Sequence, residues 1–173
     1  DTYRDRAVLW NAVEKVEDQC NSQLARCIKL AIPIELPREQ WTDLVLDYVR
    51  KEFVSKGMCA DVAIHYKEPP PNPHAHILLT MREMDEHGQW LPKFRKIPGN
   101  DDAGNPVFDA KGHMKMRAVS INDWNDRGNA DIWRQDWAAI QNAYLEKKDT
   151  LAYVRCLEDA IANMEDSSNF MEQ

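Results

Sequence analysis

The chain has 173 residues, 43% hydrophobic and 29% charged, which suits one globular domain with a sizeable core. No apolar run approaches the roughly 18 residues needed to cross a bilayer, and the first residues do not read as a secretory signal, so the expectation is a cytoplasmic protein with no membrane partner. The formal net charge of −7 and pI near 5.2 argue against a uniformly cationic nucleic-acid binder.

The first residue is Asp1 rather than Met, which reads as a fragment, a processed product or a chain missing a disordered start. Residues 4 to 19 read as a helix, with Ala7, Trp10, Val13 and Val16 forming an apolar stripe at spacing three. Residues 24 to 32 alternate through Ile28, Leu30 and Ile32 and read as a strand. Pro33 and Pro37 bracket a connection, and Pro37 suits the first turn of a helix over 37–54. Trp41, Leu44, Val45, Tyr48, Val49 and Phe53 form its inner face, and Gly57 suits a C-cap region. Strands follow over 59–66 and 74–82.

Residues 85 to 119 are rich in turn signals, at Glu86-His-Gly, Pro98-Gly-Asn, Ala103-Gly-Asn-Pro and Lys111-Gly, and predict one or two ragged hairpins with disorder. Asn122 or Asp123 suits a cap on a short turn. A helix is expected over 130–147, with Trp133, Trp137, Ile140 and Tyr144 as a core stripe. A separate helix over 150–164 carries Leu151, Val154, Leu157 and Ile161 and ends in a polar tail. The expected organisation is a domain over 1–149 followed by a C-terminal helix and tail over 150–173, with no internal repeats. Helices packed on antiparallel strands make the fold class α+β.

Cys20, Cys27, Cys59 and Cys156 show no paired spacing and read as reduced thiols, with Cys27 and Cys59 as small buried residues. The charge is uneven. Residues 93 to 117 hold six basic and three acidic side chains, a local +3 that leaves −10 for the remainder. A solvated loop of mixed charge is the plain explanation, and a phosphate-binding surface is the functional one.

The segment from His65 to His76 holds three of the five histidines. His74 and His76 share one face of a strand, since residues two apart point the same way. His65 ends the preceding strand, and a short Pro-rich loop allows the two strands to fold back as an antiparallel pair. That pairing brings His65 across from His74 and His76. Three neutral imidazoles on a sheet face can hold a metal with open coordination positions. A lone histidine on a strand is ordinarily structural, so the weight lies in the company of three. His87 and His113 lack such company and read as exposed loop residues.

Asp61-Val-Ala-Ile-His65, Asn72-Pro-His-Ala-His-Ile77 and Leu79-Thr-Met-Arg-Glu83 closely resemble the MobA/MobL family of plasmid mobilisation relaxases, within the broader HUH endonucleases. Leu9-Trp-Asn-Ala-Val-Glu14, Leu24-Ala-Arg26, Ala31-Ile-Pro-Ile-Glu-Leu36, Ser120-Ile-Asn-Asp-Trp-Asn125, Trp133-Arg134 and Trp137 extend the resemblance in the same order over residues 4 to 147. The resemblance implies an α+β fold with the histidines on antiparallel strands under a DNA-binding cleft. It implies attack of a tyrosine hydroxyl on a phosphodiester of single-stranded DNA at a transfer origin. It also implies a divalent metal (Mn, Mg or Zn) held by His65, His74 and His76. Glu35 and Asp61 are the acidic candidates to orient the imidazoles. Arg95, Lys96, Lys115 and Arg117 are the candidates to hold DNA backbone.

Two departures from the family pattern stand out. The family's nucleophilic tyrosine lies on an N-terminal segment ahead of the landmarks found here, and none of Tyr3, Tyr48, Tyr66, Tyr144 and Tyr153 matches it. Tyr66 follows His65 directly and on a strand would face away from it. The family usually has glutamates at the positions of Cys27 and Lys29, so a cation here replaces an anion near the histidines. These departures support an alternative: a relaxase-derived, non-catalytic binding protein, for example an inhibitor of a nucleic-acid enzyme encoded on a mobile element, with a protein partner in place of DNA.

Overall fold

The structure is a computed structural model that describes the backbone of residues 2–66, 72–101 and 103–171, with the side chains of 2, 150 and 152–173 outside the description. The Pro-rich loop over 67–71 lies outside the described residues, as do the side chains of Tyr153, Val154, Cys156, Leu157 and Ile161. The elements run α1 (Arg6–Val16), β1 (Ala25–Ala31), α2 (Arg38–Glu52), β2 (Ala60–His65), β3 (His74–Thr80), β4 (Phe94–Pro98), β5 (Met116–Ser120) and α3 (Asn129–Met171). This is an α+β arrangement with two antiparallel sheets.

The main sheet has the order β1-β3-β2, with β3 antiparallel to both neighbours. The crossover through α2 links the two edge strands and leaves the centre to β3. The alternation of β3 divides the sheet. Ala75, Ile77 and Leu79 are fully buried on one face, whereas His74 and His76 on the other are only partly covered. Leu30 and Ile32 from β1 and its exit join the buried side, together with Ile28, Val62 and Ile64.

Helix α2 supplies most of that core. Trp41, Leu44, Val45, Tyr48, Val49 and Phe53 are all buried, as their spacing predicts. Pro37 takes the N-cap position rather than the first turn. Tyr48 packs edge-on against Phe53 and Trp137, and its hydroxyl donates to the Trp133 carbonyl at 2.9 Å. That burial, with Glu52 nearby, pushes the Tyr48 hydroxyl pKa well above its ordinary value. Trp133 and Trp137 are therefore core residues, as expected, and the Trp137 indole donates to the Ala31 carbonyl. The break expected near residue 149 does not occur: α3 is one helix through Met171.

Helix α1 departs from its expected stripe. Leu9 and Val13 are buried, Trp10 and Val16 are half-buried, and Ala7 is exposed. The inward face is set by the i, i+4 pair Leu9 and Val13, one position away from the spacing-three reading. Asp5 caps the helix, accepting from the Ala7 and Val8 backbone amides.

The region expected to be ragged is built. Strands β4 and β5 pair from Phe94–Ser120 to Pro98–Met116. Beyond them Gly99, Val107 and Lys115, spaced by eight, close a ring of three backbone hydrogen bonds, each 2.8 Å. Gly99 fits because a Cβ there would meet the Lys115 carbonyl oxygen at 3.1 Å. Three turns share one design, Asp85–Gln89, Asp101–Asn105 and Asp109–His113. In each the aspartate accepts from the backbone amides two and four residues on, and glycine takes a φ of 77° to 85°. The backbone hydrogen bonds hold the Asp101 and Asp109 carboxyls below the usual aspartate range. This local repeat was not expected from the sequence.

The base of the ribbon is tied to the body through Glu17. Its side chain, 2% exposed, meets Lys93 Nζ at 2.7 Å and Arg82 Nε at 3.2 Å. Lys93 also donates to the Gln23 carbonyl and Arg82 to the Leu91 carbonyl. Replacing Glu17 by Gln keeps the shape but leaves two largely covered cations without a counter-charge. We expect Glu17→Gln to lower unfolding stability by about 2 kcal/mol in urea titration. A change below about 0.5 kcal/mol, the scale of an ordinary surface substitution, contradicts this role.

Candidate metal centre

The hairpin of β2 and β3 sets His65 opposite His74 and Ala63 opposite His76. His65 is then the direct neighbour of one imidazole and the diagonal neighbour of the other. The ring centroids lie 5.4 Å (His65–His74), 4.9 Å (His65–His76) and 5.1 Å (His74–His76) apart. One ligand nitrogen from each ring lies within 4.8 Å of the other two. Nitrogens at zinc-like bond lengths on one ion are about 3–3.5 Å apart, so small rotamer adjustments close the set.

The tautomer of His74 is fixed locally. Its Nδ1 lies 2.8 Å from the Asn72 carbonyl oxygen. A carbonyl only accepts, so Nδ1 carries the hydrogen and Nε2 is left with the lone pair a metal needs. His76 is pushed below the ordinary histidine range, first by loss of water, then by Lys29 and the other two imidazoles. It therefore stays neutral, the ligating form, to lower pH than a free imidazole. The residues fit a divalent transition metal.

Of the two acidic candidates, Asp61 is engaged away from the histidines. Asp61 shares the face of His65 but is four residues away along the strand, about 13 Å at strand rise. Its carboxylate accepts from Arg6 Nε at 3.0 Å and Nη2 at 2.8 Å, and from the Trp10 indole at 2.9 Å. This clamp ties α1 to β2. The sequence reading missed Arg6 and Trp10 as its holders, though their i, i+4 spacing on one helix was a usable signal. Glu35 is exposed in the turn after β1. The orienting role expected of a carboxylate falls, for His74, to a backbone carbonyl.

Strand β1 brings Lys29 opposite His76 and Ala31 opposite His74. Cys27 lies on this same face and is exposed, not buried as expected, because Ile28 and Leu30 take the inward positions. Arg26 points the other way, over the Trp133 ring at 5.3 Å, and burial lowers its pKa. Cys20, Cys27 and Cys59 are free thiols. His87 and His113 are exposed at 78% and 77%, as expected.

The described tyrosines have other partners. Tyr3 packs on Trp90, and Tyr48 is in the core. The Tyr144 hydroxyl donates to Asp47, and loss of water with that carboxylate pushes its pKa up to about 12. The Tyr66 ring leans on Trp41 and lies under Arg38, turned toward α2 as strand alternation predicts.

On the ribbon, Arg95, Lys96, Lys115 and Arg117 are exposed. The register separates them. Arg95 and Arg117 share one face, Lys115 continues it past the end of β5, and Lys96 lies on the opposite face with Phe94 and Met116. Lys93, counted with them in the sequence, is consumed by Glu17.

The Asp61 clamp yields a direct test. Asp61→Ala removes the acceptor of both Arg6 and Trp10, and we expect a loss of about 1–2 kcal/mol in chemical denaturation. Unchanged stability contradicts the clamp.

The chain is 44% identical over 136 residues to the conjugal transfer protein TraA of Agrobacterium fabrum, covering 79% of this chain and 12% of that protein. It is 30% identical over 178 residues to a probable mobilization protein MobA of Bifidobacterium longum, covering 94% of this chain and 31% of that one. The chain thus spans less than a third of the length of these relatives. A solved structure from work on the molecular basis of vancomycin resistance transfer in Staphylococcus aureus superposes with a TM-score of 0.65 at 33% identity, covering 86% of this chain and 64% of that one. The model of the MobA/MobL family matches residues 1–156, and with nine-tenths of its length so matched the chain belongs to the MobA/MobL family.

Proposed function

We propose that this chain is the metal-binding part of an HUH-type relaxase that engages single-stranded DNA at a transfer origin in the cytoplasm. The observation that carries the reading is the set of three imidazole nitrogens within 4.8 Å on the open face of a MobA/MobL sheet. His65, His74 and His76 would hold a divalent ion, with Mn, Mg and Zn as candidates. Such an ion supplies charge neutralisation and polarisation at a phosphodiester. The chain's own residues hold His74 in the ligating tautomer through Asn72, and loss of water, with Lys29 opposite, favours the neutral form of His76. In the complete relaxase a tyrosine supplied from outside the described site would make the attack.

Metal binding is tested by calorimetry with Mn²⁺ or Zn²⁺ on the full chain. About one equivalent should bind, and His74→Ala with His76→Ala should abolish it. Equal affinity in the double variant contradicts the assignment.

The ribbon carries the DNA part of the proposal. Arg95, Lys115 and Arg117 are the phosphate contacts, since they share a face and are exposed. A single-stranded contact contributes about 0.7 to the salt slope. Changing all three to Gln should therefore flatten the slope by about two units in fluorescence anisotropy with a labelled oligonucleotide, with metal affinity unaltered. Lys96→Gln, on the other face, should change it by less than half a unit. Equal effects from Lys96 and from the three together speak against a one-sided contact.

The non-catalytic alternative draws support from the net charge of −7 and from Lys29 beside His76. It predicts no salt-sensitive DNA binding at all.

A further inference from the structure

The histidine face carries no free acid from its own three strands. Asp61 is the acidic residue of β1, β2 and β3, and it is spent on Arg6 and Trp10. Opposite His76 stands Lys29, exposed, whose amine can reach over the triad from a Cβ about 5 Å from that of His76. A lysine in this place weakens a bare cation site, because two positive charges then share one low-acid surface. An anion bound between them reverses that sign. A phosphodiester is such an anion, and it can offer one oxygen to the metal and the other to an ammonium.

We propose that Lys29 is a phosphate-contacting residue, which together with the ion held by His65, His74 and His76 grips one phosphodiester across the open face of the sheet. The inference rests on the single-stranded DNA reading and adds a second positive group to its site. Lys29 exchanges metal affinity for phosphate affinity. The same substitution should therefore move the two in opposite directions, a signature that a merely structural lysine would not give.

The test uses the full chain with Mn²⁺ and three variants, Lys29→Gln, Lys29→Glu and Lys29→Arg. Calorimetry reads the metal, paramagnetic broadening of the ³¹P line of dimethyl phosphate reads the phosphodiester, and anisotropy reads a labelled single strand. Lys29→Gln should tighten Mn²⁺ several-fold and Lys29→Glu about tenfold or more. Both should cut dimethyl phosphate broadening strongly, and Lys29→Gln should reduce the DNA salt slope by about 0.7. Lys29→Arg should keep the phosphate broadening. If the native chain binds metal and DNA and Lys29→Gln changes neither broadening nor slope, the inference fails while the DNA reading stands. If broadening depends on Lys29 but no oligonucleotide binds, the phosphate contact stands and the DNA reading falls. A native chain that takes up no metal overturns both.

Discussion

The two-residue period of β3 is the constraint on which everything else depends. One strand at the centre of the sheet serves two opposed chemistries. Ala75, Ile77 and Leu79 seal the core against α2 and α3, while His74 and His76 face outward beside His65. A register slip of one residue would drive imidazoles into the core and isoleucine into solvent. The apolar cost of that slip fixes the histidines where they stand, so core packing positions the site with no separate scaffold.

Two acidic groups of the body are occupied structurally. Asp61 anchors α1 through Arg6 and Trp10, and Glu17 anchors the ribbon through Lys93 and Arg82. Both bonds join segments distant in sequence, and both remove a carboxylate from service elsewhere. An acidic chain thereby presents two locally cationic surfaces, one at the histidine face with Lys29 and one on the ribbon with Arg95, Lys115 and Arg117. The overall charge of −7 is a poor guide to what either surface attracts, because fields near a surface follow the local arrangement.

The triad was legible in the sequence because it is made by one hairpin. Two short apolar runs, a Pro-rich loop and a His-x-His pair determine the geometry without help from distant residues. The core stripes of α2 and of Trp133 and Trp137 were legible for a similar reason, since helical spacing marks a buried face directly. What was hidden depends on pairing between distant segments. Cys27 looked like a buried thiol until β1 took its register against β3 and put Ile28 and Leu30 inward. The holders of Asp61 come from 51 and 55 residues away, and although Arg6 and Trp10 share a helix face, nothing in their spacing says which strand that face meets. The ribbon was read as ragged because the backbone ring of Gly99, Val107 and Lys115 has no side-chain signature, and the Asp-x-x-Gly spacing that its turns share was the one pattern that marked its order. The uninterrupted α3 was hidden by the polar stretch Glu146-Lys-Lys-Asp-Thr150, which suggested a break although each of its residues tolerates a helix.

The central claim is that His65, His74 and His76 share one ion. Crystals grown with Mn²⁺ and measured near the manganese absorption edge test it most directly. The account predicts one strong anomalous peak on the open face of the sheet, within about 2.3 Å of a ring nitrogen from each of the three histidines, a distance set by ordinary metal–imidazole bonds. A peak bound by other residues, or a histidine face without one at saturating Mn²⁺, contradicts it.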